Sequence, residues 1–129
     1  MINNVKKKDI EKLIEMAMRR ENLPLMSVMT GGSGYSEWIR EADPQISEDR
    51  LICGFLKTFN YEQIQTLETI MYVGRDNDNE IFDRDPEVIF NEKMKQLAWT
   101  NIIEIEIDTI LSKRPLANYL KEGMRILKF

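Results

Sequence analysis

Histidine is absent from the 129-residue chain, and cysteine occurs once. The first absence excludes a Ser-His-Asp or Cys-His catalytic arrangement, a histidine-ligated zinc or haem, and a histidine pH switch. The second excludes an intrachain disulfide. Cys53 sits in "RLICGFL" among apolar neighbours, where it reads as a small buried hydrophobe. Thiol-only usage points to the reducing cytoplasm. Long apolar runs are also missing: charge interrupts every stretch before the roughly 18 residues a membrane span needs. The start, "MINNVKKKDIEKLIEM", is basic but has no apolar segment or cleavage site behind it, unlike a secretory signal. The one glycine-rich stretch, "GGSG" at 31–34, lacks the lysine and hydroxyl residue of a phosphate loop and reads as a flexible connection. Any catalysis would fall to carboxylates, Lys, Tyr or an unidentified cofactor. With no recognisable nucleophile, metal or nucleotide motif, an enzyme is not the expectation, and no cofactor is expected.

What is present describes a globular protein. Hydrophobic residues make up 43% and charged residues 31%, a balance that folds. The length suits one domain over residues 1–129, with a core of its own. Charge is segregated: residues 1–20 carry net +3, residues 112–129 net +4, and the middle net −11, for an overall −4. Nucleic-acid binding would require the two basic ends to join on one surface, and is not expected while they can pair with the acidic middle.

Periodicity predicts helices throughout, giving an all-α, single-domain bundle of five or six helices. From Lys8, the spacing Ile10, Leu13, Ile14, Ala17, Met18 predicts a helix stopping at Asn22, before Pro24. Residues 22–36 read as a loop, and Ser36 as the cap of a short helix ended by Asp43-Pro44. Ser47 reads as the next N-cap, followed by the stripe Leu51, Ile52, Phe55, Leu56, Phe59, with Gly54 placed for a close helix approach. Asn60 and Gln63 form a capping-box pattern ahead of Ile64, Leu67, Ile70, Met71, with Gly74 as the left-handed stop. Asp85-Pro86-Glu87 reads as cap, first position and early acid of a helix carrying Ile89 or Phe90, Met94, Leu97, Ala98 and Trp99. "NIIEIEIDTIL" fits an alternating strand and also a helix with Ile103, Ile107, Ile110, Leu111 on one face. Helix is preferred, because a lone strand has no partner. A last helix begins near Pro115 with Leu116, Tyr119, Leu120, Gly123 and Leu127 aligned.

Two stretches, "FNYEQIQTLETIMYVGRD" (59–76) and "RPLANYLKEGMRIL" (114–127), resemble segments of small bacterial proteins that read "L-x-A-L-x-W-x-G-R-G-D" and "P-L-L-x-x-Y-L-x-E-G-L-x-x-L". These belong to a bacterial domain-of-unknown-function family. The resemblance implies a helical single domain in a bacterial cytoplasm, and carries no activity. Asp76 stands here where that pattern has glycine after Gly74-Arg75.

The acidic stretch "VGRDNDNEIFDRDPE" (73–87) holds six carboxylates. Set against an EF-hand loop begun at Asp76, the ligand positions fall on Asp76, Asp78, Glu80, the Phe82 carbonyl, Arg84 and Glu87. The required glycine position holds Ile81, which resists the turn. The preferred reading is a solvated turn between a helix stop and the Asp85 cap, pinned by Ile81 and Phe82. A divalent cation on Asp76, Asp78, Glu80 and Glu87 is the weaker alternative. Arg75 and Asp76 are the candidate contact site, since a guanidinium fork is suited to anion or partner recognition. The functional expectation is a helical interaction module, binding itself or another protein, with eight methionines supplying adaptable apolar surface. Ligand binding on 75–87 is the alternative, and an enzyme using carboxylates the second.

Overall fold

In the computed structural model, which describes residues 2–23, 44–76 and 84–129, one helix occupies the middle. This helix, α3 (Tyr61–Arg75), buries nine residues, among them Ile64, Leu67, Ile70, Met71 and Val73. Burial on so many sides exceeds what one apolar stripe supplies, so polar residues go inside too. Thr66 and Thr69 donate their hydroxyls to the carbonyls of Glu62 (3.1 Å) and Gln65 (2.7 Å), the local bond that lets threonine enter a helical core.

The other described helices are α1 (Lys7–Glu21), α2 (Pro44–Leu56), α4 (Pro86–Gln96), α5 (Ile103–Ser112) and α6 (Leu116–Ile126). Of these, α4, α5 and α6 pack directly against α3, and α1 and α2 join the bundle mainly through α6, α5 and each other. A short 3-10 turn at Ile2–Asn4 precedes them and docks on the start of α3, where Gln63 donates to the Asn4 carbonyl at 3.2 Å. One core cluster collects side chains from all six described helices. No strand occurs among the described residues, so 103–112 is helix, with Ile107 and Ile110 inside. No described helix is long and apolar enough to cross a membrane.

Local chemistry explains several boundaries. Asn60 accepts from the Gln63 backbone N–H, and Gln63 accepts from the Asn60 N–H, each at 2.9 Å, completing the predicted capping box. Asp85 accepts from the Glu87 N–H at 2.8 Å, with Pro86 at the first position, where a missing N–H costs nothing.

Other boundaries differ from the expectation. Helix α2 begins at Pro44, three residues before Ser47, which lies inside it. Helix α4 ends at Gln96, so Leu97, Ala98 and Trp99 lie beyond it. The Trp99 indole N–H turns back to the Met94 carbonyl at 3.0 Å. Helix α3 runs past Gly74 to Arg75. Cys53 is half-buried rather than fully enclosed. The short helix expected after Ser36, and the pinning by Ile81 and Phe82, lie outside the described residues.

Gly74 has a different role from the one its sequence suggests. It is where α3 crosses α6. A Cβ built on Gly74 would overlap the Tyr119 carbonyl oxygen and come within 2.7 Å of the Gly123 nitrogen. A Cβ on Gly123 would overlap the Ile70 carbonyl. The two glycines let the backbones touch. Gly54, expected to permit such an approach, would find nothing within 4 Å.

A candidate interaction surface around α1

Helix α1 turns Ile10, Leu13, Ile14, Ala17 and Arg20 inward. Its outer side carries Glu11, Lys12, Glu15, Met18 and Arg19. The helix packs against α2 on one flank and α6 on the other, and a groove follows each contact. Between α1 and α6, a cavity of about 360 Å³ is lined by Ile14, Met18 and Met124 with Glu11, Glu15 and Lys121. Between α1 and α2, one of about 420 Å³ is lined by Met16, Leu51 and Phe55 with Lys12, Glu15 and Arg19.

Two of these residues were expected in the core. Met18 is 40% exposed and Leu51 54% exposed. Helical geometry accounts for both corrections. Met18 lies about 80° around the helix from Ile10, at the edge of the inward arc, and Leu51 lies about 100° from Ile52. Ile52 and Leu56, which complete the α2 stripe, have no exposed surface. Phe55 stays half-buried, packed edge-on against Phe59 at 5.2 Å, with the Lys12 ammonium 4.7 Å above its ring. The groove floors are therefore aromatic, aliphatic and thioether, and their rims carry both signs of charge.

The candidate contact residues Arg75 and Asp76 are brought together, and mainly with each other. Arg75 Nε donates to Asp76 Oδ1 at 2.8 Å, and its guanidinium stacks over the Tyr72 ring at 4.4 Å. Lys93 of α4 adds an ammonium 3.1 Å from Asp76 Oδ2. Burial would raise the Asp76 carboxyl, but the bonds from Arg75 and Lys93 outweigh it and hold it below the usual carboxylate range. Asp76, Lys93, Arg84 and Glu92 border a cavity of about 260 Å³ between α3 and α4. Arg84 is itself bound to Glu92 by two hydrogen bonds. The charges around this cavity thus neutralise one another in pairs. Because Asp76 is one-third exposed, Asp76→Asn is expected to cost less than about 1 kcal/mol by chemical denaturation.

Of the candidate cation ligands, Asp76 is engaged as above. Glu87 is exposed in the first turn of α4, and Asp78 and Glu80 lie outside the described residues. Among the described residues, no three carboxylate or cysteine side chains gather in a metal-binding group. Lys113 and Arg114 lie at the opposite end of α1 from Lys6–Lys8, so these basic residues do not form one patch. Arg20, at the far end of α1 from Lys6–Lys8, binds the Lys113 carbonyl at 2.8 Å, and α1 is about 20 Å long. Arg114 turns to Asp49 at 3.2 Å.

Three buried charged side chains were not evident from the sequence. Arg20 is completely buried and makes four hydrogen bonds: to Glu21 Oε2 (2.9 Å), Asp49 Oδ1 (2.9 Å), and the carbonyls of Leu111 (2.9 Å) and Lys113 (2.8 Å). Extending the α1 stripe one turn past Ala17 lands on it, so the signal was there. Glu68 and Glu106 are each 3% exposed and meet between α3 and α5. Each lies beside an apolar stripe position, a weak signal that becomes meaningful only when both helices are placed. Comparison with protein-family models, with curated proteins and with solved structures finds no match to this chain.

Proposed function

We propose that this protein is a small helical interaction module, and that α1 with its two flanking grooves is the surface it uses. The observation that supports this reading is the exposure of Met18 on α1 and Leu51 on α2 beside the half-buried Met16 and Phe55, on helices whose inner faces are already filled. Methionine lines both grooves, and its unbranched thioether adapts to a partner side chain at low strain.

The partner the surface fits is a second copy of the chain. One flank of α1 carries Glu11, Glu15 and Lys121, an acidic excess. The other carries Lys12 and Arg19 against Glu15, a basic excess. A two-fold axis running along α1 sets the acidic flank of one copy against the basic flank of the other. Such rim charges add little affinity and chiefly fix orientation, while the apolar floors supply the binding energy. The setting is the bacterial cytoplasm, in keeping with one unpaired thiol and the family resemblance, which assigns no chemistry.

Concentration-dependent amide NMR spectra test the surface. Raising protein concentration is expected to shift resonances of α1 and the facing parts of α2 and α6, leaving α4 and α5 unmoved. Shifts spread evenly over the fold, or none up to millimolar concentration, would contradict the assignment.

A further inference from the structure

Glu68 and Glu106 form a buried carboxyl pair that the α1 surface does not use. Glu106 Oε2 accepts three hydrogen bonds: from the Thr100 backbone N–H (2.8 Å), the Thr100 hydroxyl (2.8 Å) and the Tyr61 hydroxyl (3.2 Å). The Tyr61 oxygen in turn accepts from the Asn101 N–H at 2.9 Å. Glu106 therefore gathers the segment before α5 and fastens it to the first turn of α3. Glu68, seven residues after Tyr61 on the same side of α3, meets Glu106 from within. Its Oε2 is buried with no donor to satisfy it. Two ionised carboxylates cannot bond to each other, so a hydrogen bond within this buried pair would take one proton shared by Glu68 and Glu106.

We propose that this shared proton is a pH-sensitive latch: with Glu68 protonated, it donates to Glu106 and holds α5 and the 97–102 segment against α3, and its loss releases them. Among the described residues, the charges acting on Glu68 are Glu106 from α5 and Lys113 from the α5–α6 connection, and Tyr61 is the third titratable member of the cluster. Burial, followed by the bond and charge of Glu106, pushes the Glu68 carboxyl up to about 8, and Lys113 only partly offsets them. Burial works the same way on Glu106, but the bonds from Thr100, Glu68 and Tyr61 outweigh it and lower its pKa. Ionisation of Glu68 sets a second negative charge against the first in a site closed to water. The bonds closest to the repulsion are those holding Thr100 and Asn101, next to Ile102 and Ile105, which are already 49% and 44% exposed.

The sign follows from proton linkage. Glu68 is raised above its unfolded value, so its contribution to stability is complete below the ordinary glutamate pKa and lost as pH rises through about 8. Between those limits, the unfolding constant rises by at most about tenfold per pH unit from this group. Glu106 contributes in the opposite sense, losing stability only as pH falls through its lowered value.

Melting temperature measured from pH 5 to pH 9 tests the latch in wild type and Glu68→Gln, whose amide donates to Glu106 at every pH. The wild type is expected to lose stability across this range while the variant stays flat and overtakes it above pH 8. Amide hydrogen exchange at Thr100 and Asn101, corrected for intrinsic base catalysis, is expected to accelerate only in the wild type. Should the variant fail to fold, carbon-13 titration of the wild-type Glu68 carboxyl replaces it, with a midpoint near 8 expected. Parallel melting profiles in the two proteins, or a Glu68 midpoint in the ordinary carboxylate range, would overturn the proposal.

Discussion

Gly74→Ala is expected to destabilise the protein by about 3 kcal/mol or more, the high end of overpacking costs. Overpacking is usually relieved when a side chain rotates away. Here the obstacles are the Tyr119 carbonyl and the Gly123 nitrogen, both main chain, so relief requires α3 and α6 to separate. That separation would loosen Ile70, Leu120 and Met124, which pack at this crossing or close to it. Gly123→Ala is expected to behave alike, through the Ile70 carbonyl. Gly54→Ala supplies the contrast. Its added methyl meets nothing within 4 Å, and alanine favours the helix over glycine by about 0.8–1 kcal/mol, so the expected sign is reversed. Urea denaturation of the three variants checks the pattern. A mild effect at Gly74 would place the α3–α6 crossing further apart than described.

Arg20→Met is expected to cost about 3–5 kcal/mol, as when one partner of a buried ion pair is removed. The guanidinium ties the end of α1 to α2 through Asp49 and to the end of α5 through the Leu111 and Lys113 carbonyls. It also orients Glu21, whose Oε1 accepts the Ala117 N–H at 3.0 Å in the first turn of α6. Methionine fills similar volume but leaves the Leu111 and Lys113 carbonyls without this donor and, among the described residues, Asp49 and Glu21 with only Arg114 and the Ala117 N–H. With a typical total stability of about 5–15 kcal/mol, much of the folding free energy would go. Arg20→Lys keeps the charge but loses the planar fork, and is expected to fall between wild type and Arg20→Met in the same denaturation series.

The features legible in the sequence are those whose physics is local. Asn60-Gln63 and Asp85-Pro86 announced their helix starts because a cap closes within three residues. The apolar arcs of α1, α3, α5 and α6 were legible for the same reason, since each repeats within its own helix. What stayed hidden depends on a second element. Gly74 reads as a terminator until α6 is laid across it. Arg20 suits a helix end electrostatically, and only its partners, 29 to 93 residues away, show that it is buried. Glu68 looks solvated until α5 delivers Glu106. The α1 surface follows the same logic: Met18 and Leu51 belong to apolar runs, and their exposure follows from inward arcs filled by other residues. The acidic stretch 73–87 is described only at its edges. There, Asp76 pairs with Arg75 and Lys93, and Arg84 with Glu92.

The most direct measurement is solution molar mass by light scattering, across a wide concentration range, for wild type beside the Met18→Lys and Leu51→Lys variants. Both substitutions are at exposed helical positions and use a good helix former, so the fold is expected to survive them. If α1 and its grooves bind a second copy, the wild type rises toward twice its monomer mass, and each variant remains at monomer mass over the same range. A wild type that stays monomeric throughout, or variants that associate as readily as wild type, would contradict that account.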